Sequence, residues 1–158
     1  LGGILGFPTY DERIRDAFKH AKEMGVTYKY IIDDQTVTNH PNTADIDIVG
    51  ASGRKMSIRG ESIGGGKMKI VRIDGIDVEF TGEYSTLIVR QVDKPGVVAH
   101  ITQALSDYNV NIAFMRLFRE DKGATAYTVV ESDEAIPAEV LDRIRKNTNV
   151  SDLMLIQI

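Results

Sequence analysis

The 158 residues include no cysteine. The chain by itself therefore holds no disulfide and offers no thiolate to a metal ion or an iron–sulfur cluster. Histidine is nearly as scarce: His20, His40 and His100 stand far apart and lack the repeated spacing of a metal site. They read as surface or hydrogen-bonded side chains, and no catalytic triad can be assembled from them. Basic residues are not in excess, with 19 Lys and Arg against 23 Asp and Glu and a net charge of −4. Without a basic stripe to neutralise phosphates, nucleic acid is not an expected partner. No apolar run approaches the roughly 20 residues of a membrane span, and no charged start followed by an apolar stretch marks a signal peptide. No membrane association is expected, and the expected compartment is the cytoplasm.

What is present is an ordinary globular composition, 42% hydrophobic and 27% charged, which provides a core to bury. The most conspicuous segment is RGESIGGGKMKI, Arg59 to Ile70. Its glycines do not fit a phosphate-cradling loop. Glu61 stands where the first glycine belongs, and Met68 follows Lys67 where Ser or Thr should bind the metal. The dinucleotide pattern fails as well, since Lys69 occupies the place of its third glycine. The segment reads as a glycine-permitted connector between two hairpins, with a ligand or interface loop as the other reading.

Along the chain, Thr9 with Glu12 forms a capping-box pattern. Ile14, Ala17, Phe18 and Ala21 then share one face, and Gly25 supplies a stop, so a helix is expected from Tyr10 to Met24. Its charged face would be supported by pairs such as Asp11 with Arg15. VTYKYIID, residues 26–33, reads as a strand. Ile46 and Ile48 alternate with acids, and Met56 and Ile58 with Lys55, Ser57 and Arg59, around a turn at Ser52 and Gly53. That predicts one hairpin. KMKIVRI and IDVEF flank Asp74–Gly75, a type I′ dipeptide, and predict a second.

From Tyr84 the pattern becomes strand, helix, strand, strand, helix, strand. Val97, Ile101, Ala104, Leu105 and Tyr108 keep helical spacing, and Pro137 takes a helix's first position ahead of Val140, Leu141 and Ile144. The expected fold class is α+β: helix and hairpins in residues 1–82, then a ferredoxin-like βαββαβ unit in residues 83–158, both helices on one sheet face. The other face and the edges need cover, which a partner copy could supply.

VDKPGVVAHIT at the first strand-to-helix turn and NVNIAFM at the second strand resemble an ACT domain, a small amino-acid-sensing module. Asp93, Lys94, Pro95, Gly96, Val97, Val110, Asn111, Ile112 and Gly123 carry the resemblance. TYDERI, NHPNTADI and GESIGGGKMKI, in that order, resemble the β subunit of the iron-sulfur-dependent L-serine dehydratase, whose C-terminal domain is an ACT domain. The first half then corresponds to part of an allosteric-substrate-binding-type domain. An alternative is the regulatory module of another serine-pathway enzyme, such as D-3-phosphoglycerate dehydrogenase. The family's Ser-Ser-His-Thr segment is missing and Leu1 is not an initiator methionine, so the expectation is a piece of a longer product.

The resemblance implies that this chain holds no cofactor, metal or catalytic residue. The iron–sulfur cluster belongs to the α part, the expected partner, with which the whole converts L-serine to pyruvate and ammonia. It also implies an effector site between the strand-to-helix loop of one ACT copy and the VNI segment of the next, hence a homodimer, with L-serine or another amino acid as effector. The residues carried over are Gln91, Asp93, Pro95, Gly96, Val97, Val98, Asn111 and Ile112. Amides at the helix start suit a carboxylate, and Asp93 suits an ammonium group, although Asp93 also reads as a turn cap. His40, Asn42, Ser62, Gly64, Gly65 and Gly66 are carried as interface or substrate-side loops, with a solvated role for His40 as the other reading.

Overall fold

Period-two sequence between residues 43 and 80 folds into a four-stranded antiparallel meander. The computed structural model describes residues 1–119 and 121–157. Glu120 and Ile158, the last residues of two expected strands, lie outside the described residues. By compactness the chain forms two units, Leu1–Val37 and Thr38–Ile158.

In the first unit a 3-10 turn, Glu12–Asp16, leads into helix α1, Ala17–Glu23, which buries Ala17 and Ala21. The expected helix from Tyr10 is thus shorter. Asp11, not Thr9, makes the cap, because its carboxylate accepts from the Arg13 backbone N–H and also pairs with the Arg13 guanidinium. That geometry replaces the expected pairing of Asp11 with Arg15. The Arg13 guanidinium holds the Asp11 pKa down at about 2. Gly25, at φ 70°, ends the helix as expected, and Val26 N–H donates to Ala21 C=O at 2.8 Å. Residues 26–33 form no strand. With no neighbouring strand to complete a ladder, β propensity alone does not hold the segment extended. Tyr28, Tyr30 and Phe18 instead contact one another through their rings while exposed.

In the second unit β1 (Thr43–Val49), β2 (Lys55–Gly64), β3 (Lys67–Ile73) and β4 (Ile76–Phe80) pair in sequence order. The two expected hairpins are present and are fused. Gly60 to Gly64 belong to β2, and Gly65 and Gly66 turn directly into β3, so the glycine run connects the two hairpins as expected and is itself a tight hairpin turn. Gly64, Gly65 and Gly66 all have positive φ, between 62° and 89°, which explains three glycines in a row. Asp74 and Gly75, at φ 50° and 85°, make the expected β3–β4 turn.

The second sheet contains β5 (Ser85–Val92), β6 (Phe114–Arg119), β7 (Thr125–Ser132) and β8 (Val150–Ile156), in the antiparallel order β6-β7-β5-β8. Helices α2 (Val97–Asp107) and α3 (Ala138–Arg145) cover one face. Leu87, Val89 and Val130 meet Val97, Ile101, Leu105, Val140 and Ile144 there. Pro137 sits at the cap of α3, one place before the expected position. The expected second strand shortens, since β6 begins at Phe114 and Val110 to Ala113 form an irregular approach.

The opposite sheet face is not left for a partner copy. Ile73, Ile76, Val78 and Phe80 of the meander bury themselves against Ile88, Tyr127 and Val129. Each strand alternates, so β5 gives Leu87 and Val89 to the helices and Ile88 to the meander. Arg54 also pairs with Asp152 of β8.

Candidate functional site

The β5–α2 loop is built from both its neighbours. Val92 N–H donates to Asn149 C=O at 2.9 Å, and Asp93 N–H to Ala124 C=O at 2.8 Å, fixing the strand end. Gly96 then takes φ 87° at the N-cap of α2, with no side-chain cap. A β-carbon is disfavoured at that φ, which accounts for the glycine after Pro95. Pro95 and Gly96 are exposed, Val97 is buried and Val98 half-buried.

Asp93 does not cap α2. Its Oδ2 accepts from Gly123 N–H at 3.1 Å and from Arg119 Nη1 at 3.2 Å, tying the loop to the β6–β7 turn. The Gly123 amide, and after it the Arg119 guanidinium, hold its carboxyl below the ordinary range. Gln91 is buried on the helix-facing side, and its Oε1 accepts from the Thr128 hydroxyl at 3.1 Å. Gln91, Asp93 and the 95–98 segment are therefore gathered at one end of the sheet. Asn111 and Ile112 lie at the other end. Asp93 neighbours Ala124, whereas Ala113 donates to Glu131, seven residues further along β7, about 24 Å at roughly 3.4 Å per residue.

The second group divides differently. Ser62 N–H donates to Asn42 C=O at 2.9 Å, bringing those two together, and Asn42 N–H donates to His40 Nδ1 at 3.2 Å. Thr38 and Thr43 hydroxyls donate to His40 C=O. His40 lines a cleft of about 440 Å³ on the outer face of the meander, together with Arg59, Glu61, Lys69 and Arg72. Gly64, Gly65 and Gly66 form the hairpin tip and are not among its lining residues. The cations there face carboxylates: Arg59 grips Asp45 through two 2.7 Å bonds, Arg72 lies 2.8 Å from Asp77, and Lys69 3.5 Å from buried Glu61. This is a mixed-charge surface, not a cationic one.

Sequence reasoning missed Arg119, Thr128 and the cleft charges. Arg59 and Glu61 alternate along β2, a period-two signal that places them on one face. Arg119 reaches Asp93 across 26 positions, and nothing local announces that contact.

Glu131 is buried on the face toward the meander. Burial pushes its pKa up, Arg116 opposes, and Glu79 and Glu83 add to the rise. A raised folded-state pKa means that the folded chain binds the proton more tightly than the unfolded one. The ionised side chain thus costs stability above the raised pKa, and the cost is absent below the unfolded value. Glu131→Gln should stabilise the chain at pH 7.5 and lose that advantage by about pH 4, near the ordinary glutamate pKa. Urea unfolding at the two pH values checks this; an equal effect at both contradicts it.

Residues 85–149 match the ACT domain. The chain is 34% identical over 150 residues to a probable L-serine dehydratase β chain of Bacillus subtilis, covering 95% of this chain and 67% of that one. The chain belongs to the L-serine dehydratase β-chain family. The L-serine dehydratase β chain of Peptoniphilus asaccharolyticus is 40% identical over 112 residues, 70% of this chain. This member of the family spans half of the Peptoniphilus relative's length. A D-3-phosphoglycerate dehydrogenase of Methanocaldococcus jannaschii is 31% identical over 105 residues, 66% of this chain but only 20% of that one. The match covers a larger share of the β chains' own length than of the dehydrogenase's.

Proposed function

We propose that this chain is the regulatory, amino-acid-sensing part of an L-serine dehydratase, acting with an α chain that carries the catalytic centre. The observation that carries the sensing role is the distribution of the ACT residues over the second sheet. Asp93, Gly96 and Val98 occupy one end and Asn111 and Ile112 the other, so one chain cannot close a site around a small molecule. β6 is an edge strand of that sheet. Antiparallel pairing of β6 with the β6 of a second copy sets Asn111 and Ile112 of each beside the Arg119 end of the other. Each of the two resulting sites then draws its loop from one copy and its VNI segment from the other, the isologous arrangement of a two-fold dimer. In this reading the α-amino acid is L-serine, bound in the cytoplasm. The α-carboxylate meets the amides at the start of α2 and its ammonium group meets Asp93. The division at residues 82 and 83 then separates an allosteric-substrate-binding-type part from the sensing part, and the cleft beside His40 is a substrate-side or interface surface.

The iron–sulfur cluster of the enzyme does not fit this chain. There is no cysteine to ligate it, and among the described residues no group of three or more His, Asp or Glu could hold a metal ion. In this reading the cluster belongs to the α chain, and this chain acts by binding amino acid and biasing the catalytic half between states. The D-3-phosphoglycerate dehydrogenase relatives favour a sensor attached to a dehydrogenase, with a smaller share of their length behind it. Mixing this chain with a cysteine-bearing L-serine dehydratase α chain under anaerobic conditions discriminates. Serine-dependent pyruvate is expected, and its absence with a cluster-loaded partner removes the assignment.

A further inference from the structure

Two of the groups at the β5–α2 loop are a salt bridge within the chain. Arg119 Nη1 lies 3.2 Å from Asp93 Oδ2, in a place where the Asp93 side chain is 15% exposed and that of Arg119 is 56% exposed. The same oxygen, Oδ2, also accepts from Gly123 N–H, so Asp93 is anchored to backbone while the guanidinium is the more exposed member. An arginine presents several N–H groups in a planar fork, and one contact to Asp93 does not exhaust them.

We propose that Arg119 is a specificity-determining residue of the effector site, which joins the α2 amides on the α-carboxylate of the bound amino acid while Asp93 takes its ammonium group. The proposal rests on the reading of this loop as an amino-acid site. Its logic is exchange. In the free chain the anion and cation of the site satisfy each other, and a zwitterion inserted between them replaces one ion pair by two. The site and the ligand are each neutral as a pair, so binding leaves no uncompensated charge. A ligand with only one of the two charges breaks the Asp93–Arg119 pair and restores only half of what was lost. Arg119 thereby selects against amines and against carboxylic acids that lack the other group. Because it is the last residue of β6, it also stands where antiparallel pairing brings the second copy's Asn111.

The test is calorimetric titration of the whole chain with L-serine and with L-serinamide, which keeps the ammonium and hydroxyl groups and lacks the carboxylate. Wild type is expected to prefer L-serine strongly. Arg119→Ala should weaken L-serine binding on the order of 10- to 100-fold, the range for losing a charged hydrogen bond, and should not weaken L-serinamide, which binds more tightly where no ion pair has to be broken, so the preference collapses. Arg119→Lys, with the charge but without the fork, should fall between them. A merely structural arginine would weaken both ligands equally. Retention of the wild-type preference in Arg119→Ala, or equal binding of both ligands by wild type, overturns the role of Arg119 alone. If wild type takes up no L-serine, as a second copy's dimer or with the α chain added, the effector reading fails and this role with it.

Discussion

Phe80→Ala should cost about 3–5 kcal/mol of unfolding free energy, the range for truncating a buried aromatic side chain. Phe80 is 3% exposed and closes β4 against the second sheet, in one cluster with Ile73, Ile76, Val78, Ile88, Tyr127 and Val129. That cluster is the seam between the meander and the ACT sheet. Truncation leaves a void flanked by side chains from both, which cannot collapse without moving one sheet relative to the other. The same reasoning makes the two sheets a cooperative pair. The two sheets of the second unit should unfold together in urea, in one transition followed by far-ultraviolet circular dichroism. Tyr127 lies in the seam, where burial first and Asp74 next push its pKa up to about 12. In Phe80→Ala the midpoint should drop sharply. An effect below about 1 kcal/mol, the size of an ordinary surface substitution or less, would mean that the seam contributes little.

Mixing two inactive variants should restore binding. Asp93→Ala and Asn111→Ala are each expected to abolish L-serine binding, because every site in the proposed dimer uses Asp93 from one copy and Asn111 from the other. In a heterodimer of the two variants, one site receives both substitutions and the other receives neither. Subunits exchanged at equal amounts should therefore recover roughly a quarter of the wild-type binding capacity, the random-mixing value for a two-fold dimer. Titration calorimetry of the refolded mixture measures this as a stoichiometry. A site built within one chain gives a different result, since neither variant then holds an intact set and mixing recovers nothing. The distance between the two ends of β7 argues for recovery.

Legibility in the sequence followed the range of the interactions. Local, period-based signals were sufficient for the second half. Val97, Ile101, Ala104 and Leu105 face the core as their spacing implies, and Asp74–Gly75 turns as a type I′ pair should. Local signals were also misleading where tertiary partners decide. Residues 26–33 have strand chemistry and form no strand, since a ladder needs a neighbour. Thr9 and Glu12 match a capping box, yet Asp11 takes the cap because its carboxylate can reach the Arg13 amide and side chain together. The glycine run was correctly read as backbone conformation and not as a phosphate loop, but its place as a β2–β3 turn depended on Ser62 pairing with Met68 and Gly64 with Lys67.

By itself the sequence determined composition, the lack of any thiolate chemistry, the βαββαβ order of the second half and the residues of its strand-to-helix loop. These depend on residue type and on spacing within one element, which are written in the chain. Only the tertiary structure decided that the meander covers the second face of the ACT sheet, that Asp93 is anchored by Gly123 and Arg119, and that Asn111 lies at the far end from it. Those facts arise from contacts between residues far apart in the chain, such as Arg119 with Asp93 and Tyr127 with Asp74, or Val78 in one cluster with Val129. Their energies depend on which surfaces meet once the strands have paired, and no periodicity along the chain records that.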